Sequence, residues 1–157
     1  IDKVKIDKAP SNLFWIGFII ALFPNSKIIH IKRNIKDNCL SIYKNLFGGN
    51  RTEWTYDVEN IQKYIKIYKE MMIFWKNKFD NKIYEINYED LIKNQSIEIG
   101  NLLKFCNLNF EKNCLQHHKS KNPVKTVSIN QSRKPIYEDS IDSNLKYKKF
   151  DNLFKDI

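Results

Sequence analysis

Arg33 and Ser41 are eight residues apart and could bind one anion together. Arg33 follows a short β-branched run, Ile28 to Ile31, and Asn34 after it can cap a helix. A guanidinium at the end of a strand can bind a phosphate bidentately, and the N-terminus of the next helix assists it. The hydroxyl of Ser41, two helical turns further on, could donate to the same anion. Arg33 could equally be a surface charge and Ser41 a neutral helix residue, so this pair alone does not define a site.

The elements around this pair predict an α/β fold. Apolar residues at intervals of three or four predict helices, and two short β-branched runs predict strands. The alternating order indicates a parallel sheet flanked by helices, because parallel strands need crossover connections. In chain order, the predicted elements are a helix at Leu13–Phe23, a strand at Lys27–Arg33, a helix at Ile35–Phe47, a long helix capped by Asp57, a strand at Lys82–Ile86, a helix at Asp90–Phe105 and short helices at Glu111–His118 and Asn144–Phe154.

The composition predicts one folded domain with a basic surface. Of the 157 residues 42% are apolar, and ten Phe, eight Tyr and three Trp can fill a core. The net charge of +9 favours anionic partners, although the charges are dispersed and fit an ordinary solvated surface. A basic module that binds nucleic acid or another polyanion is therefore an alternative to an enzyme.

The cysteines and histidines do not predict a disulfide framework or a metal site. The three cysteines are odd in number and widely spaced, which fits a reducing compartment. His117 and His118 lie near Cys114, but three ligands on one short helix leave a metal incompletely coordinated. His30, inside an apolar strand, is predicted to be a core histidine with its hydrogen bonds satisfied. The cysteines are Cys39, Cys106 and Cys114.

No membrane span is predicted in this chain. Its longest apolar run, Leu13 to Phe23, is shorter than the roughly 18 residues that cross a bilayer. No signal peptide is visible, but the chain begins with Ile1 rather than Met, so the natural N-terminus is expected elsewhere. We expect a cytoplasmic location, or the Golgi lumen if the protein is eukaryotic.

A series of short motifs extends over nearly the whole chain. The segments are Asp7–Asn12, Leu22–Ile31, Arg33 with Asp37 and Ser41, Tyr88–Leu91, Phe105–Leu108, Cys114–His118, Val127–Tyr137 and Ser140–Ile141. Each is weak alone, but in this order and with these gaps they resemble the sulfotransferases that use 3′-phosphoadenosine 5′-phosphosulfate (PAPS). The likeness is strongest to tyrosylprotein sulfotransferases and to bacterial sulfotransferases often fused to TPR repeats.

The resemblance implies a PAPS site. Arg33 and Ser41 match the residues that hold the 3′-phosphate of PAPS in that family. Tyr88 matches a tyrosine that contacts the adenosine. Arg133 and Lys134 match a basic pair in a late loop that closes over the 3′-phosphate. The implied reaction moves a sulfuryl group from PAPS to a hydroxyl of a protein tyrosine, a carbohydrate or a small alcohol, and it needs no metal.

The resemblance also implies two catalytic residues. Lys8 matches a lysine that reaches the transferring sulfuryl group, and Ser128 matches a late-loop serine that assists there. In an in-line displacement, negative charge builds on the bridging oxygen that leaves with the nucleotide. An ammonium group near that oxygen stabilises the transition state more than the ground state. The family's usual base, a Glu or a His, has no clear match in this chain.

Several positions depart from the family pattern. Ile35 stands where a Pro or another small turn residue is usual, and Asp142 and Asn144 replace a Gly and a Trp, so the packing of the tail is open. None of the four glycines lies in a strand–loop–helix phosphate cradle. The glycines are Gly17, Gly48, Gly49 and Gly100.

The resemblance implies that residues 1–157 are the C-terminal portion of a sulfotransferase domain with a P-loop-NTPase-like α/β fold. An N-terminal strand and a phosphate loop are expected upstream, together with a TPR or other domain. Without that strand, the strand at Ile28 to Ile31 would have an unpaired edge. We expect the 157 residues alone to be inactive and poorly soluble, and the partner of the whole protein to be a hydroxyl-bearing acceptor rather than a nucleic acid.

Overall fold

Two parallel strands form a sheet in the part of the chain that the structure describes. The computed structural model describes residues 4–47, 52–119, 134–136, 141–147 and 153–154. Strand β1 (Ile28–Lys32) pairs in parallel with strand β2 (Ile83–Asn87), so that His30 lies opposite Glu85. Within the described ranges β1 pairs with β2 alone. The predicted class, an α/β fold with a parallel sheet flanked by helices, is confirmed.

Helices and short 3₁₀ segments surround this sheet. The α-helices are α1 (Ile16–Leu22), α2 (Ile35–Lys44), α3 (Val58–Phe79), α4 (Tyr88–Lys93) and α5 (Gln95–Phe105). The 3₁₀ segments are Pro10–Phe14, Glu53–Tyr56, Asp80–Lys82, Lys112–Leu115, His117–Lys119 and Ser143–Lys146. No helix among the described residues is long and apolar enough to cross a membrane.

Both predicted helix caps are present. The Asn34 side chain accepts a hydrogen bond from the Asp37 amide at the start of α2, and Asp57 accepts one from the Asn60 amide at the start of α3. These contacts satisfy amides that the first helical turn leaves without an intrahelical partner. They fix the first residues of α2 and α3, the two α-helices that connect β1 to β2.

Several predicted helices are divided or replaced. The helix expected over Leu13–Phe23 begins as a 3₁₀ segment at Pro10, and α1 starts only at Ile16. The helix expected over Asp90–Phe105 is interrupted at Asn94, whose ψ of 45° is not helical. Asparagine competes with helical hydrogen bonds through its own side chain, and periodicity alone does not detect such a break. The short helix expected over Glu111–His118 is replaced by 3₁₀ segments. The helix expected over Asn144–Phe154 begins as a 3₁₀ segment at Ser143–Lys146, and residue 153 is helical.

Helix α3 connects two hydrophobic clusters. Its N-terminal half packs against α2 through Ile61, Ile65, Cys39 and Leu40, all of them buried. Its C-terminal half packs against α1 and the sheet; the buried residues there are Ile16, Ile20, Met72 and Ile83. Phe154, far along the chain, is also fully buried in the first cluster. This arrangement brings the C-terminal tail to the helix that follows β1.

The two faces of the sheet are covered to different degrees. The face that carries Ile28 and Ile83 packs against α1 and α3. On the opposite face, the Tyr84 ring lies 5.2 Å from the Phe105 ring of α5. Ile31 on that face is 56% exposed, although its register partner Ile86 is buried.

Candidate functional site

Arg33 and Tyr88 meet at the carboxyl edge of the sheet. Lys32 and Asn87 are register partners at the ends of β1 and β2, so the next residue of each strand lies at the same edge. The Arg33 guanidinium carbon is 5.1 Å from the centre of the Tyr88 ring, and the Arg33 side chain is 18% exposed. Ligands of open α/β sheets bind beyond the carboxyl ends of the strands, where these two residues lie.

Asp37 lies next to Arg33 and is fully buried. Its Oδ2 is 4.0 Å from Nη2 of Arg33, one helical turn earlier. Its Oδ1 accepts hydrogen bonds from the Ser143 hydroxyl at 2.9 Å and from the Asn144 amide at 2.8 Å. Within the described residues, Oδ2 accepts no hydrogen bond. We call Arg33, Asp37 and Tyr88 the Arg33 cluster.

Ser41 lies on α2, one turn beyond Asp37. The Asn45 side-chain amide donates to the Ser41 hydroxyl at 3.3 Å and to the Ser41 carbonyl at 2.6 Å. Ser41 therefore lies on the helix that follows Arg33, as predicted. No described contact joins Ser41 to Arg33, so their sharing of one phosphate remains a prediction.

The other predicted site residues are not brought to Arg33 by any described contact. Lys8 is exposed in the segment that precedes Pro10. Lys134 is exposed as well, and its carbonyl accepts a hydrogen bond from Nε2 of His117 at 3.1 Å. Ser128 and Arg133 lie outside the described residues. The roles predicted for these four residues stay predictions.

Carboxylates contribute to the charge around Arg33. The Asn34 amide donates to the Glu89 carboxylate at 2.8 Å, directly after Arg33 in the chain. Asp37 is buried beside the guanidinium, so two acidic groups lie next to Arg33 or to its neighbour in the chain. An anion at this edge would need cations beyond Arg33 to overcome their repulsion. Lys8, Arg133 and Lys134 are the residues predicted to supply them.

A second polar cluster lies on the face of the sheet that packs against α3. His30 Nδ1 is 3.0 Å from one Glu85 oxygen, and His30 Nε2 is 2.6 Å from the Tyr68 hydroxyl. Lys32 Nζ is 3.3 Å from the other Glu85 oxygen, which Lys76 also contacts. We call these five residues the Glu85 cluster.

The Glu85 cluster fixes the protonation of its members. Burial alone would raise the pKa of Glu85, but hydrogen bonds from Lys76 and His30 and the charge of Lys32 lower that pKa to about 2. Burial lowers the pKa of His30 and raises the pKa of Tyr68. An ionised carboxylate only accepts, so Nδ1 of the neutral His30 ring donates to Glu85, and Nε2 accepts from Tyr68. The prediction of a hydrogen-bonded core histidine is confirmed.

Sequence reasoning missed the roles of Glu85 and of the Asp37 carboxylate. The spacing of Arg33 and Asp37 by four residues was a usable signal, because such residues are neighbours on a helix. The strand alternation also places His30 and Lys32 on one face. No local pattern connects Asp37 to Ser143, more than a hundred residues later.

Comparisons with known proteins agree with the predicted family and fold class. The model of a family described as "Sulfotransferase family" matches residues 2–112, so the chain belongs to the sulfotransferase family. The chain is also 36% identical over 147 residues to an uncharacterized protein of Aquifex aeolicus (strain VF5). That match covers 92% of this chain and 19% of the relative, so the chain spans about a fifth of the relative's length.

Proposed function

We propose that the whole protein transfers a sulfuryl group from PAPS to a hydroxyl acceptor, and that Arg33 binds the 3′-phosphate of PAPS. The observation that supports this is the Arg33 side chain itself, held at the carboxyl edge of a parallel sheet between Asp37 and the Tyr88 ring. In a member of the sulfotransferase family, this edge is the expected place for a nucleotide. The Ser41 hydroxyl would add a donor, because accepting from the Asn45 side chain does not use its proton.

The proposed reaction is an in-line displacement at sulfur. The acceptor oxygen forms a bond to sulfur while the bond between sulfur and the bridging phosphate oxygen breaks. The proton of the acceptor hydroxyl passes to a general base, and no residue of this chain is assigned that role. The products are a sulfate ester and adenosine 3′,5′-bisphosphate. Lys8 would neutralise the charge that builds on the bridging oxygen, and Ser128 would donate a hydrogen bond there.

The 5′-phosphosulfate of PAPS, which reacts, needs contacts of its own in addition to those that hold the 3′-phosphate. Backbone amides in a phosphate loop usually hold such a group, and we propose that a segment outside these 157 residues supplies them. Arg33, Ser41, Tyr88, Arg133 and Lys134 would then bind and orient the nucleotide half. We propose that the acceptor is a protein tyrosine, a carbohydrate or a small alcohol.

Calorimetry on the full-length protein tests this proposal. Adenosine 3′,5′-bisphosphate should bind much more tightly than AMP, because AMP lacks the 3′-phosphate assigned to Arg33. Transfer of label from PAPS to a mixture of phenolic and sugar acceptors should accompany the binding. Equal affinity for the two nucleotides would contradict the proposed 3′-phosphate site. Binding to arbitrary DNA that weakens steeply with salt, without bisphosphate binding, would favour the alternative of a polyanion-binding module.

A further inference from the structure

Asp37 joins two parts of the molecule that lie far apart in the sequence. One carboxylate oxygen faces Arg33, and the other accepts hydrogen bonds from Ser143 and Asn144. The carboxylate is completely buried, so it is shielded from bulk solvent. A buried charge of this kind is stable only when donors and cations remain fixed around it. Asp37 therefore depends on Arg33 and on the tail segment, residues 141–147, at the same time.

The tail segment is held in a defined conformation. Asn144 is only 4% exposed, and Asp142 before it has a φ of 52°, which non-glycine residues adopt only where the surroundings require it. Further along the chain, the Leu153 carbonyl accepts a hydrogen bond from the Gln62 side chain at 2.7 Å. Phe154 fills a position in the core beside α2. These contacts fix the tail against the helix that carries Asp37.

We propose that Asp37 is a positioning residue that couples docking of the tail segment to anion binding by Arg33. When Ser143 and Asn144 are docked, the carboxylate is fixed, and it gives the guanidinium a fixed counter-charge. A guanidinium oriented in advance loses less freedom when it binds a phosphate. The nature of the anion, the 3′-phosphate of PAPS, rests on the proposed function, but the link between Arg33 and the tail does not.

The coupling has to act in both directions. If a docked tail raises the affinity of Arg33 for a phosphate, then bound phosphate must stabilise the docked tail by the same factor. The Asn144 amide reports this directly, because it donates to Asp37. Its hydrogen exchange should slow when the ligand binds and should become faster when Arg33 is removed.

The experiment combines exchange and binding measurements on the full-length protein. Hydrogen exchange of a peptide covering 141–147 is measured with and without adenosine 3′,5′-bisphosphate, with a peptide from α5 as the internal control. Calorimetry then gives the bisphosphate affinity of Ser143→Ala, of Arg33→Ala and of the double variant. Ser96→Ala, at an exposed serine of α5, is the matched control. Asp37→Asn, which keeps the shape and an acceptor oxygen, removes the charge.

We expect the bisphosphate to slow exchange in 141–147 about fivefold or more, and Ser143→Ala to weaken binding by a similar factor. In the Arg33→Ala background, Ser143→Ala should have no further effect on affinity. Asp37→Asn should weaken binding about tenfold, in the range seen when residues that orient a ligand-binding group are replaced. Ser96→Ala should bind as the wild type does.

Two results would overturn the coupling. One is bisphosphate binding that leaves exchange in 141–147 unchanged; the other is full additivity of Ser143→Ala and Arg33→Ala. If the wild type does not bind the bisphosphate at all, the proposed function fails, and the coupling is judged without ligand. Arg33→Ala should then speed exchange in 141–147, whereas Lys63→Ala on the surface of α3 should not. Unchanged exchange in Arg33→Ala would refute the coupling as well.

Discussion

The Glu85 cluster and the Arg33 cluster contain similar charged groups but differ in the hydrogen bonds that their carboxylates accept. Both place a carboxylate beside cations at the sheet, and both carboxylates are largely or wholly buried. Both Glu85 oxygens have hydrogen-bond donors, and the ionisation of Glu85 is fixed by them. In the Arg33 cluster, the guanidinium lies at 4.0 Å from a carboxylate oxygen that accepts no hydrogen bond within the described residues.

This difference is the one we expect between a structural network and the proposed binding site. A network in which each charge already has close partners gains little from a ligand, and breaking it costs stability. A guanidinium at the carboxyl edge of a parallel sheet can bind a phosphate bidentately. The two faces of the sheet differ as well. Helices α1 and α3 cover the face that carries Glu85, whereas Ile31 on the other face is exposed. We therefore propose that the Glu85 cluster contributes folding stability and that the Arg33 cluster binds the ligand.

The largest expected effect concerns catalysis on the Arg33 side. Lys8→Ala should lower kcat of the full-length protein by about 10²- to 10³-fold, with a much smaller change in PAPS binding, because its contact strengthens as charge develops on the leaving oxygen. Lys8→Arg should restore only part of the rate, since a guanidinium is bulkier and directed differently. Lys5→Ala, at another exposed lysine of the same segment, is the control. A change in KM alone would make Lys8 a binding residue.

The next effect concerns the Glu85 cluster. Glu85→Gln should lower the free energy of unfolding by about 2 kcal/mol, because three cationic or polar donors lose their shared anion. Glu59→Gln is the matched control, since Glu59 is 80% exposed and its pair with Lys63 spans 3.9 Å. An exposed pair of this kind contributes about 0.5 kcal/mol or less. Equal effects of the two substitutions in urea unfolding would remove the distinction between the clusters.

The free energy of unfolding should fall at acid pH because Glu85 becomes protonated. Its pKa is lowered from 4.5 to about 2, so the unfolded chain binds the proton first as the pH falls. The stabilisation is complete above pH 4.5 and is lost as the pH falls through 2. Burial lowers the pKa of His30, so protonation of His30 also reduces stability as the pH falls below 6.5. Urea unfolding of the wild type should therefore lose more stability between neutral and acid pH than unfolding of Glu85→Gln does. Parallel curves would contradict the lowered pKa.

The smallest effects compare the helices on the two faces. A Cβ at Gly17 of α1 would lie 2.8 Å from the Trp75 ring, whose indole nitrogen donates to the Leu13 carbonyl. Gly17→Ala should therefore destabilise the protein by about 1–2 kcal/mol through overpacking. A Cβ at Gly100 of α5 would meet no atom within 4 Å, so Gly100→Ala should stabilise by about 0.5–1 kcal/mol. Thermal unfolding should show shifts of opposite sign; shifts of the same sign would show that the two faces are packed alike.

The sequence allowed the elements to be predicted better than their contacts. The spacing of Ile61 and Ile65 and the cap at Asp57 predicted α3, since helix periodicity and capping are local properties. The break at Asn94 was missed, because a single non-helical residue does not disturb the apolar periodicity. Arg33 was predicted to be the last residue of its strand, but β1 ends one residue earlier, at Lys32. The bond from Asp37 to Ser143 depends on tertiary packing that no local pattern encodes.

The most direct test of the account is the affinity of the full-length protein for adenosine 3′,5′-bisphosphate in two variants, one from each cluster. Arg33→Ala should weaken binding by about 2–4 kcal/mol if its contact to the phosphate is charge-assisted and partly buried. Glu85→Gln should keep the affinity of the wild type while it lowers the unfolding free energy. Calorimetry gives the two affinities at a temperature where both variants are folded, as judged by circular dichroism. A folded Arg33→Ala variant that binds the bisphosphate as tightly as the wild type would contradict the assignment of the Arg33 cluster as the nucleotide site.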